Sequence, residues 1–191
     1  AAILYNIKYF MTDINLKEIS IDDLELIRSW RNSKDVSQYM YTENYITSEQ
    51  QIEWYNRVNL QTNSKYWIIE YQSKPLGLVS LTDISSTFDS CFWAFYLGDT
   101  SVRGAGIGSK IEYTILKYVF EVLGLNKLRC EVLTINDKVI AMHEKFGFRR
   151  EAYYRQHVRK GNIYYDVVGL AMLRSEWIQT KDYHYNRIYN K

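Results

Sequence analysis

One stretch constrains this chain more than any other: Arg103-Gly104-Ala105-Gly106-Ile107-Gly108. An apolar aromatic run, residues 91–97, precedes it, and residues 108–123 carry the apolar spacing of an amphipathic helix. The sequence therefore predicts a strand, a glycine loop and a helix in succession. The first turn of a helix has unpartnered N–H groups and a positive dipole end, and glycines let a ligand approach that backbone closely. Because Arg103 adds a cation, we expect the loop to bind an anion such as a pyrophosphate.

Spacing separates the known glycine loops. A Walker loop requires Gly-x-x-x-x-Gly-Lys-Ser/Thr, but here Gly108 is followed by Ser109 and only then by Lys110. A Rossmann fingerprint requires Gly-x-Gly-x-x-Gly; Gly104 and Gly106 fit it, but Ser109 occupies the third position. The stretch also lies in mid-chain after a strand-rich region, not in an opening βαβ unit. A glycine-rich connector without a ligand is the simplest alternative.

Two segments resemble the GCN5-related N-acetyltransferase (GNAT) family. The acetyl-CoA loop of that family reads Arg/Gln-x-x-Gly-x-Gly/Ala, and Arg103, Gly106 and Gly108 match every fixed place. Residues 136–148 resemble the family segment Asn-x-x-Ala-x-x-Leu-Tyr-Glu-Lys-x-Gly-Phe. The residues of this second segment that match are Asn136, Glu144, Lys145, Gly147 and Phe148. The chain is identified as similar to this family along nearly its whole length.

The apolar patterns predict one domain with alternating element types. Predicted strands lie at residues 14–19, 66–71, 75–84, 89–97 and 128–132, followed by a hairpin of residues 148–158 and 163–173 around Gly161-Asn162. Predicted helices lie at residues 22–31, 48–60, 108–123 and 137–146. Capping boxes are predicted at Ser20 with Asp23 and at Ser48 with Gln51, and Asn136 or Asp137 should cap the last of these helices.

The resemblance implies an α/β (α+β) fold, the GNAT acyl-CoA N-acyltransferase fold. Its central sheet is mixed and mostly antiparallel, with about seven strands flanked by four helices. Met11 is a candidate native start, so residues 1–10 are interpreted as a tag or extension. Residues 11–177 form the single GNAT domain in this interpretation, and residues 178–191 form a tyrosine-rich, charged C-terminal tail.

Composition narrows the class of partner. The 191 residues carry a formal net charge of +2, which favours neither nucleic acid nor a membrane surface as partner. The two cysteines, Cys91 and Cys130, fall in predicted interior strands, as expected of buried free thiols in a reducing compartment. Neither they nor the three histidines have metal-ligand spacing. We therefore expect a cytoplasmic protein without a metal; a homodimer is left open.

The resemblance implies an acetyl-CoA-dependent N-acetyltransferase that acts directly on a primary amine. The residues it assigns to acetyl-CoA are Tyr96, Leu97, Arg103, Gly104, Ala105, Gly106, Ile107, Gly108, Ser109 and Asn136. Tyr96 and Leu97 would act through backbone groups at a strand bulge that hold the acetyl carbonyl and the pantetheine amide. A non-catalytic acetyl-CoA sensor on the same fold is the alternative from another class.

His143 stands where the family commonly has the tyrosine that protonates the departing thiolate. A protonated histidine is a stronger acid than tyrosine, so the exchange is chemically sound. His143 also follows Val139 and Ile140 by one helical turn on an apolar stripe, which is typical of a core residue. Residues 91–96 of the fourth predicted strand carry no carboxylate, and Asp89 and Asp99 only flank them. A water relay or a free amine would therefore replace a protein base.

The acceptor side resembles one branch of the family, the UDP-4-amino-4,6-dideoxy-N-acetyl-β-L-altrosamine N-acetyltransferases of pseudaminic acid biosynthesis. The similarity lies in Trp30-Arg31-Asn32, Tyr39-Met40-Tyr41, residues 49–54, His143 to Phe148, and residues 161–166. It implies a sugar nucleotide as the small-molecule acceptor, bound by Arg31, Tyr39, Tyr41 and Trp54. The alternatives are the N-terminus of a ribosomal protein or a polyamine. For Arg31 the structural alternative is a salt bridge to Asp23 or Asp35, and for Trp54 it is core packing.

Overall fold

A seven-stranded sheet organises the computed structural model, which describes residues 13–190. All seven predicted strands are present, within a few residues of the predicted bounds. They are β1 (Ile14–Glu18), β2 (Lys65–Tyr71), β3 (Lys74–Ser85), β4 (Ser90–Leu97), β5 (Lys127–Leu133), β6 (Arg149–Lys160) and β7 (Ile163–Leu173). The predicted fold class is confirmed.

The strands lie side by side in the order β1-β2-β3-β4-β5-β7-β6. Within residues 13–190 the neighbours pair antiparallel, except β4 and β5, which run parallel. That parallel pairing is short: Ser90, Cys91 and Phe92 pair with Lys127, Leu128 and Arg129, and the strands then part. A fork therefore opens in the middle of the sheet, between the second halves of β4 and β5.

Six α-helices are described where four were predicted. They are α1 (Leu24–Asn32), α2 (Lys34–Ser37), α3 (Ser48–Asn59), α4 (Ile107–Lys117), α5 (Asp137–Phe146) and α6 (Arg174–Tyr189). A π-helical turn, Tyr118–Val122, continues α4. The short helix α2 and the C-terminal helix α6 are the two that the sequence patterns missed.

The two predicted capping boxes differ in outcome. The backbone N–H of Ser20 donates to Asp23 Oδ2 at 2.8 Å, as the spacing predicts. The second box lies one residue earlier than predicted, because Thr47 is the extended residue before α3. Thr47 Oγ1 accepts from the Gln50 N–H at 3.3 Å, and Gln50 Oε1 accepts from the Thr47 N–H at 3.0 Å.

Helices cover both faces of the sheet. On one face Ile27 and Trp30 of α1 pack on Ile68 of β2 and Leu78 of β3, and these four side chains form a small buried cluster. The opposite face carries the larger core, to which α4, α5 and α6 contribute. Its buried residues include Trp67, Val79, Cys91, Trp93, Ile111, Cys130, Phe146 and Trp177. Both cysteines are buried and free, as predicted.

The C-terminal segment is a helix, not an unplaced tail. Trp177 is fully buried, and its ring lies 5.2 Å from the ring of Tyr113 on α4. His184, one of the described residues beyond position 177, is buried as well, and its Nε2 lies 3.0 Å from the carbonyl oxygen of Phe146 at the end of α5. The predicted boundary at residue 177 therefore falls inside α6, which packs on the core.

Candidate active site

The fork places two strand ends beside a helix N-terminus. Past the last pair, Phe92 with Arg129, the next residues are Trp93 on β4 and Cys130 on β5, both buried on the α4 and α5 face. β4 ends at Leu97, and the glycine loop follows and leads into α4. The order of strand, glycine loop and helix is the one that the sequence predicts.

The glycine loop has the backbone that its sequence predicts. Gly104 and Gly106 have φ values of +85° and +78°, a region that side chains with a Cβ rarely adopt. A Cβ added at either position would meet no protein atom within 4 Å, so open space faces both. Gly106 is the residue before α4 and is followed by Ile107, whose side chain is buried in the core. Only the backbone of Ile107 is therefore suited to a ligand.

The other residues assigned to acetyl-CoA lie around this loop. Arg103 extends to α2, where its Nη2 donates to the carbonyl oxygen of Asp35 at 3.1 Å. Ala105 is exposed, and Ser109 is half-buried in the first turn of α4. Asn136 precedes α5, and its side chain makes no capping hydrogen bond. The glycine loop thus leads into α4 and Asn136 leads into α5, and these two helices meet where Gly108 lies against Met142.

A cavity of about 590 Å³ lies on the other face of the sheet, beside β4. Helices α1 and α3 and the segment between them form its walls, and β2, β3 and β4 form its floor. Its lining includes Ile27, Arg31, Met40, Thr42, Gln51, Glu53, Trp54, Arg57, Tyr66, Ser80, Ala94 and Tyr96. The charged residues of the lining are Arg31, Arg57 and Glu53, so cations outnumber the carboxylate.

Arg31 is half-buried at this cavity without a carboxylate partner among the described residues. The predicted structural alternatives are absent there: Asp23 pairs with Lys17 at 2.7 Å, and Asp35 lies 4.0 Å from Arg103. The Arg31 hydrogen bond is to Thr42 Oγ1 at 3.4 Å, which is long. Burial lowers the pKa of the Arg31 guanidinium, although the nearby Tyr96 opposes this shift. A cation in this setting is suited to an anionic group of a ligand.

The aromatic residues of the lining partly match the predictions. Trp54 lines the cavity, and its ring stands edge-on to Tyr66 at 5.2 Å. Tyr96 also lines it, and its hydroxyl is buried without a hydrogen-bond partner among the described residues. The predicted Tyr39 and Tyr41 do not line the cavity, whereas the adjacent Met40 and Thr42 do.

Tyr41 is held elsewhere because its hydroxyl donates to Glu131 on β5 and its ring stands edge-on to His157. Sequence reasoning missed Gln51, Arg57 and Ser80. A signal existed for two of them: Arg57 follows Trp54 by three helical positions, and Ser80 interrupts an apolar strand.

His143 is only 2% exposed and lies in the core at the apex of the fork. Its ring stands edge-on to Trp93 at 5.3 Å and is tilted against Phe148 at 5.2 Å. Its Nδ1 lies 2.8 Å from Oε1 of Glu112, a fully buried carboxyl of α4. Burial disfavours the charge on His143, but Glu112 and the Cys130 sulfur outweigh this and raise the pKa of His143 to about 10. Burial raises the pKa of Glu112 too, so the pair holds a proton at neutral pH.

A comparison with protein families matches residues 13–149 to the acetyltransferase (GNAT) domain, which is more than half of the chain. The chain belongs to the GNAT acetyltransferase family. It is therefore an acetyl-CoA-dependent N-acetyltransferase, with acetyl-CoA as its co-substrate.

Known GNAT proteins resemble the chain to similar degrees. Acetyltransferase PseH of Campylobacter jejuni is 28% identical over 134 residues, 70% of this chain and 82% of the relative. Spermidine N(1)-acetyltransferase of Vibrio cholerae is 22% identical over 172 residues, 90% of this chain and 99% of the relative. A crystal structure of the Vibrio cholerae spermidine N-acetyltransferase with CoA and spermine superposes with a TM-score of 0.81 at 23% identity. It covers 87% of this chain and 98% of the neighbour.

The name of the Vibrio cholerae relative gives an acceptor, spermidine, whereas the name of the Campylobacter jejuni relative gives none. Similarity alone therefore leaves the acceptor of this GNAT protein unassigned. Among residues 13–190, no helix combines the length and apolarity needed to cross a membrane.

Proposed function

We propose that this acetyltransferase acetylates the amino group of a nucleotide-linked amino-deoxy sugar, a UDP-sugar in particular. The observation that carries the proposal is the charge of the acceptor-side cavity. Arg31 and Arg57 line it, and Arg31 has no carboxylate partner among the described residues. A diphosphate supplies the missing anion, because guanidinium groups bind phosphate oxygens through paired, charge-assisted hydrogen bonds.

The aromatic lining supports the nucleotide part of the acceptor. Trp54 and Tyr66 form an edge-to-face pair at one wall of the cavity. Flat rings of this kind bind a planar base well, by offset stacking or edge contact. The similarity to acetyltransferase PseH agrees with this acceptor class, since the sequence resemblance implies a sugar nucleotide.

A polyamine is the competing acceptor, because the spermidine acetyltransferase relative aligns with 90% of the chain. A polyamine carries several positive charges and calls for several carboxylates in its site. Glu53 is the one carboxylate among the described residues of the cavity lining, and it is opposed by two arginines. Placing like charges together costs several kcal/mol, so the cavity disfavours spermidine.

For the co-substrate, we propose that the loop and the fork bind acetyl-CoA. The exposed backbone of Gly104 and Gly106 and the N-terminus of α4 would receive the pyrophosphate, with Arg103 beside it. Backbone groups at Tyr96 and Leu97 would bind the acyl and pantetheine part. The bulge predicted there is not present, because both residues pair with β3 in regular register. Asn136 would contribute its side-chain amide.

We propose further that His143 protonates the departing thiolate. It lies between Trp93 and Cys130, the first residues of β4 and β5 beyond their last pair. The raised pKa leaves it with a proton to donate at neutral pH.

A thiol-release assay over a panel of amines tests the acceptor class. The panel contains a 4-amino and a 3-amino UDP-sugar, a dTDP-amino sugar, spermidine and an N-terminal peptide. We expect kcat/KM for a UDP-amino sugar to exceed that for spermidine by about 100-fold or more, as repulsion of several kcal/mol implies. A higher value for spermidine or for the peptide contradicts the proposal.

Inhibition provides an independent control. UDP lacks the amine but keeps the base and the phosphates, so it should compete with the amino sugar and leave the KM for acetyl-CoA unchanged. Spermidine at the same concentration should inhibit weakly. The opposite order of inhibition would assign the cavity to a polyamine.

A further inference from the structure

We propose that Glu112 is a positioning residue for acetyl transfer, holding His143 so that its second ring nitrogen can donate a proton at the fork. The inference rests on the proposed acid role of His143. It concerns a residue that neither the family motifs nor the glycine loop includes.

The first observation is the placement of the carboxyl. Glu112 lies on α4, about one turn after the glycine loop, and its side chain is fully buried. A buried carboxyl is costly unless it is paired and hydrogen-bonded. Its partner is His143, with 2.8 Å between Oε1 and Nδ1, whereas its Oε2 has no hydrogen-bond partner among the described residues. The carboxyl is therefore directed at one atom on a neighbouring helix.

The second observation is the fixed orientation of the imidazole. The rings of Trp93 and Phe148 lie against it at 5.3 Å and 5.2 Å. Nδ1 is bonded to Glu112, which leaves Nε2 as the second ring nitrogen, and Cys130 of β5 is another hydrogen-bonding neighbour of the imidazole. Trp93 and Cys130 are also the residues at which β4 and β5 begin to part. The imidazole that Glu112 orients therefore lies where the two strands part, next to Cys130.

The side chains that influence the protonation of the Glu112–His143 pair lie on β4, β5 and α6. Cys130 on β5 interacts with His143, and Arg187 on α6 acts on Glu112 from the other side. Arg187 also lies 3.2 Å from His184 Nδ1, the neighbouring histidine of α6. β4 contributes the uncharged Trp93. Glu112 is therefore the anion closest to the imidazole among the described residues, and it favours the protonated ring.

The amine nitrogen attacks the thioester carbonyl, and the intermediate collapses with cleavage of the C–S bond, whose electron pair moves to sulfur. The Nε2 proton of His143 moves to that sulfur, giving the CoA thiol and a neutral imidazole, while Glu112 keeps Nδ1–H. The proton that the amine nitrogen loses on forming the amide restores the imidazolium through solvent.

Glu112→Gln tests the inference because it keeps the shape and a hydrogen-bonding oxygen but removes the charge. We expect kcat of this variant to fall as the pH rises above 7, by about tenfold for each pH unit above the pKa of the acid. The KM for acetyl-CoA should change by less than about twofold. Glu112→Asp, which restores the charge, should recover part of the rate at pH 8.5. A pH profile of Glu112→Gln that superposes on that of the wild type overturns the inference.

Glu121→Gln is the matched control. Glu121 follows α4 in the same helical segment and binds Trp177 Nε1 at 3.1 Å and Lys181 at 3.3 Å, away from His143. Its loss should lower the melting temperature without changing the pH profile. If both glutamine variants shift the profile equally, the effect is structural and the inference fails.

If Glu112→Gln does not fold, a measurement on the wild-type protein tests the inference instead. In ¹⁵N-histidine NMR spectra we expect both ring nitrogens of His143 to stay protonated at pH 8 and to shift when acetyl-CoA binds. Titration near pH 6.5, or no response to acetyl-CoA, overturns the inference. The assay uses whichever amine is acetylated, so failure of the sugar nucleotide as substrate is a separate result.

Discussion

Trp30 lies so close to Gly98 that a Cβ added to Gly98 would stand 2.1 Å from Cγ of the indole. Trp30 belongs to α1, a wall of the acceptor cavity, and Gly98 directly follows β4, a wall of the fork. The contact therefore joins the candidate acceptor cavity to the candidate acetyl-CoA site.

Gly98→Val should separate these halves. The valine overlaps the indole ring, and overpacking of this kind costs about 1–3 kcal/mol. We expect a lower urea midpoint of unfolding and a higher KM for the acceptor amine. The double variant Gly98→Val/Trp30→Leu should regain part of the stability, because the smaller side chain makes room. An unchanged midpoint in the single variant would show that the contact relaxes at no cost.

Strand patterns were sufficient to predict the seven strands, whereas the short helix α2 and the C-terminal helix α6 were not predictable from them. Alternating apolar residues fix the strands locally, and the turn at Gly161-Asn162 lies between β6 and β7 as predicted. The helix α6 was missed because its buried residues, Trp177 and His184, are separated by charged and tyrosine residues without a clear helical stripe.

In the candidate site, residues positioned by their own helix or loop were predictable, and residues positioned by contacts distant in sequence were not. Arg31 and Trp54 lie on helices, and both line the cavity. Their role in binding the acceptor stays a prediction. Tyr41 lies in the irregular segment before α3, where tertiary contacts with Glu131 and His157 set its direction. The glycine loop was predictable because positive φ angles leave a signature in residue type. The pairing of Glu112 with His143 was not predictable from the sequence, because 31 positions separate the two residues.

Gly106→Val should weaken CoA binding. The Cβ would project into the open space at the N-terminus of α4, and the φ of +78° is strained for valine. We expect the affinity for CoA, measured by calorimetry, to fall by about tenfold or more, equivalent to about 1.4 kcal/mol. Gly124→Val is the matched control, because Gly124 also has a positive φ, +68°, and open space, but lies after the far end of α4. Equal CoA affinity in the two folded variants would place the cofactor elsewhere.

Arg31→Ala should act on the acceptor and spare acetyl-CoA. The loss of a charge-assisted hydrogen bond in a half-buried site costs about 1.5–3 kcal/mol, so we expect the KM for the acceptor to rise by about 10- to 150-fold. Arg31→Lys keeps the charge without the planar fork and should have a smaller effect. Steady-state kinetics with each substrate varied separately provides the measurement. Equal increases in both KM values would make Arg31 a structural residue.

The Glu112–His143 pair should make the stability depend on pH. The pKa of His143 is raised to about 10 in the folded protein, as Glu112 and Cys130 outweigh the effect of burial, against about 6.5 in the unfolded chain. Its contribution is therefore fully present below about pH 6.5 and is lost as the pH rises through about 10. We expect the free energy of unfolding to fall between pH 7 and 9 by about 1.4 kcal/mol per pH unit more than in Glu112→Gln/His143→Phe. Urea titrations with parallel slopes for the two proteins would be inconsistent with a protonated pair.

His143→Phe decides whether the buried imidazole takes part in catalysis. Phenylalanine keeps the ring packing against Trp93 and Phe148 but cannot donate a proton. If His143 protonates the thiolate, kcat should fall by about 10² to 10⁴ while the affinity for acetyl-CoA stays nearly constant. His143→Tyr should regain part of the rate, because a phenol would occupy the position where the family pattern has its tyrosine. Since His143→Phe leaves the Glu112 carboxyl without its partner, a melting curve is recorded first, and Glu112→Gln/His143→Phe serves where the single variant is unstable. Turnover at the wild-type rate in either folded variant would mean that His143 is a core residue and that another group supplies the proton.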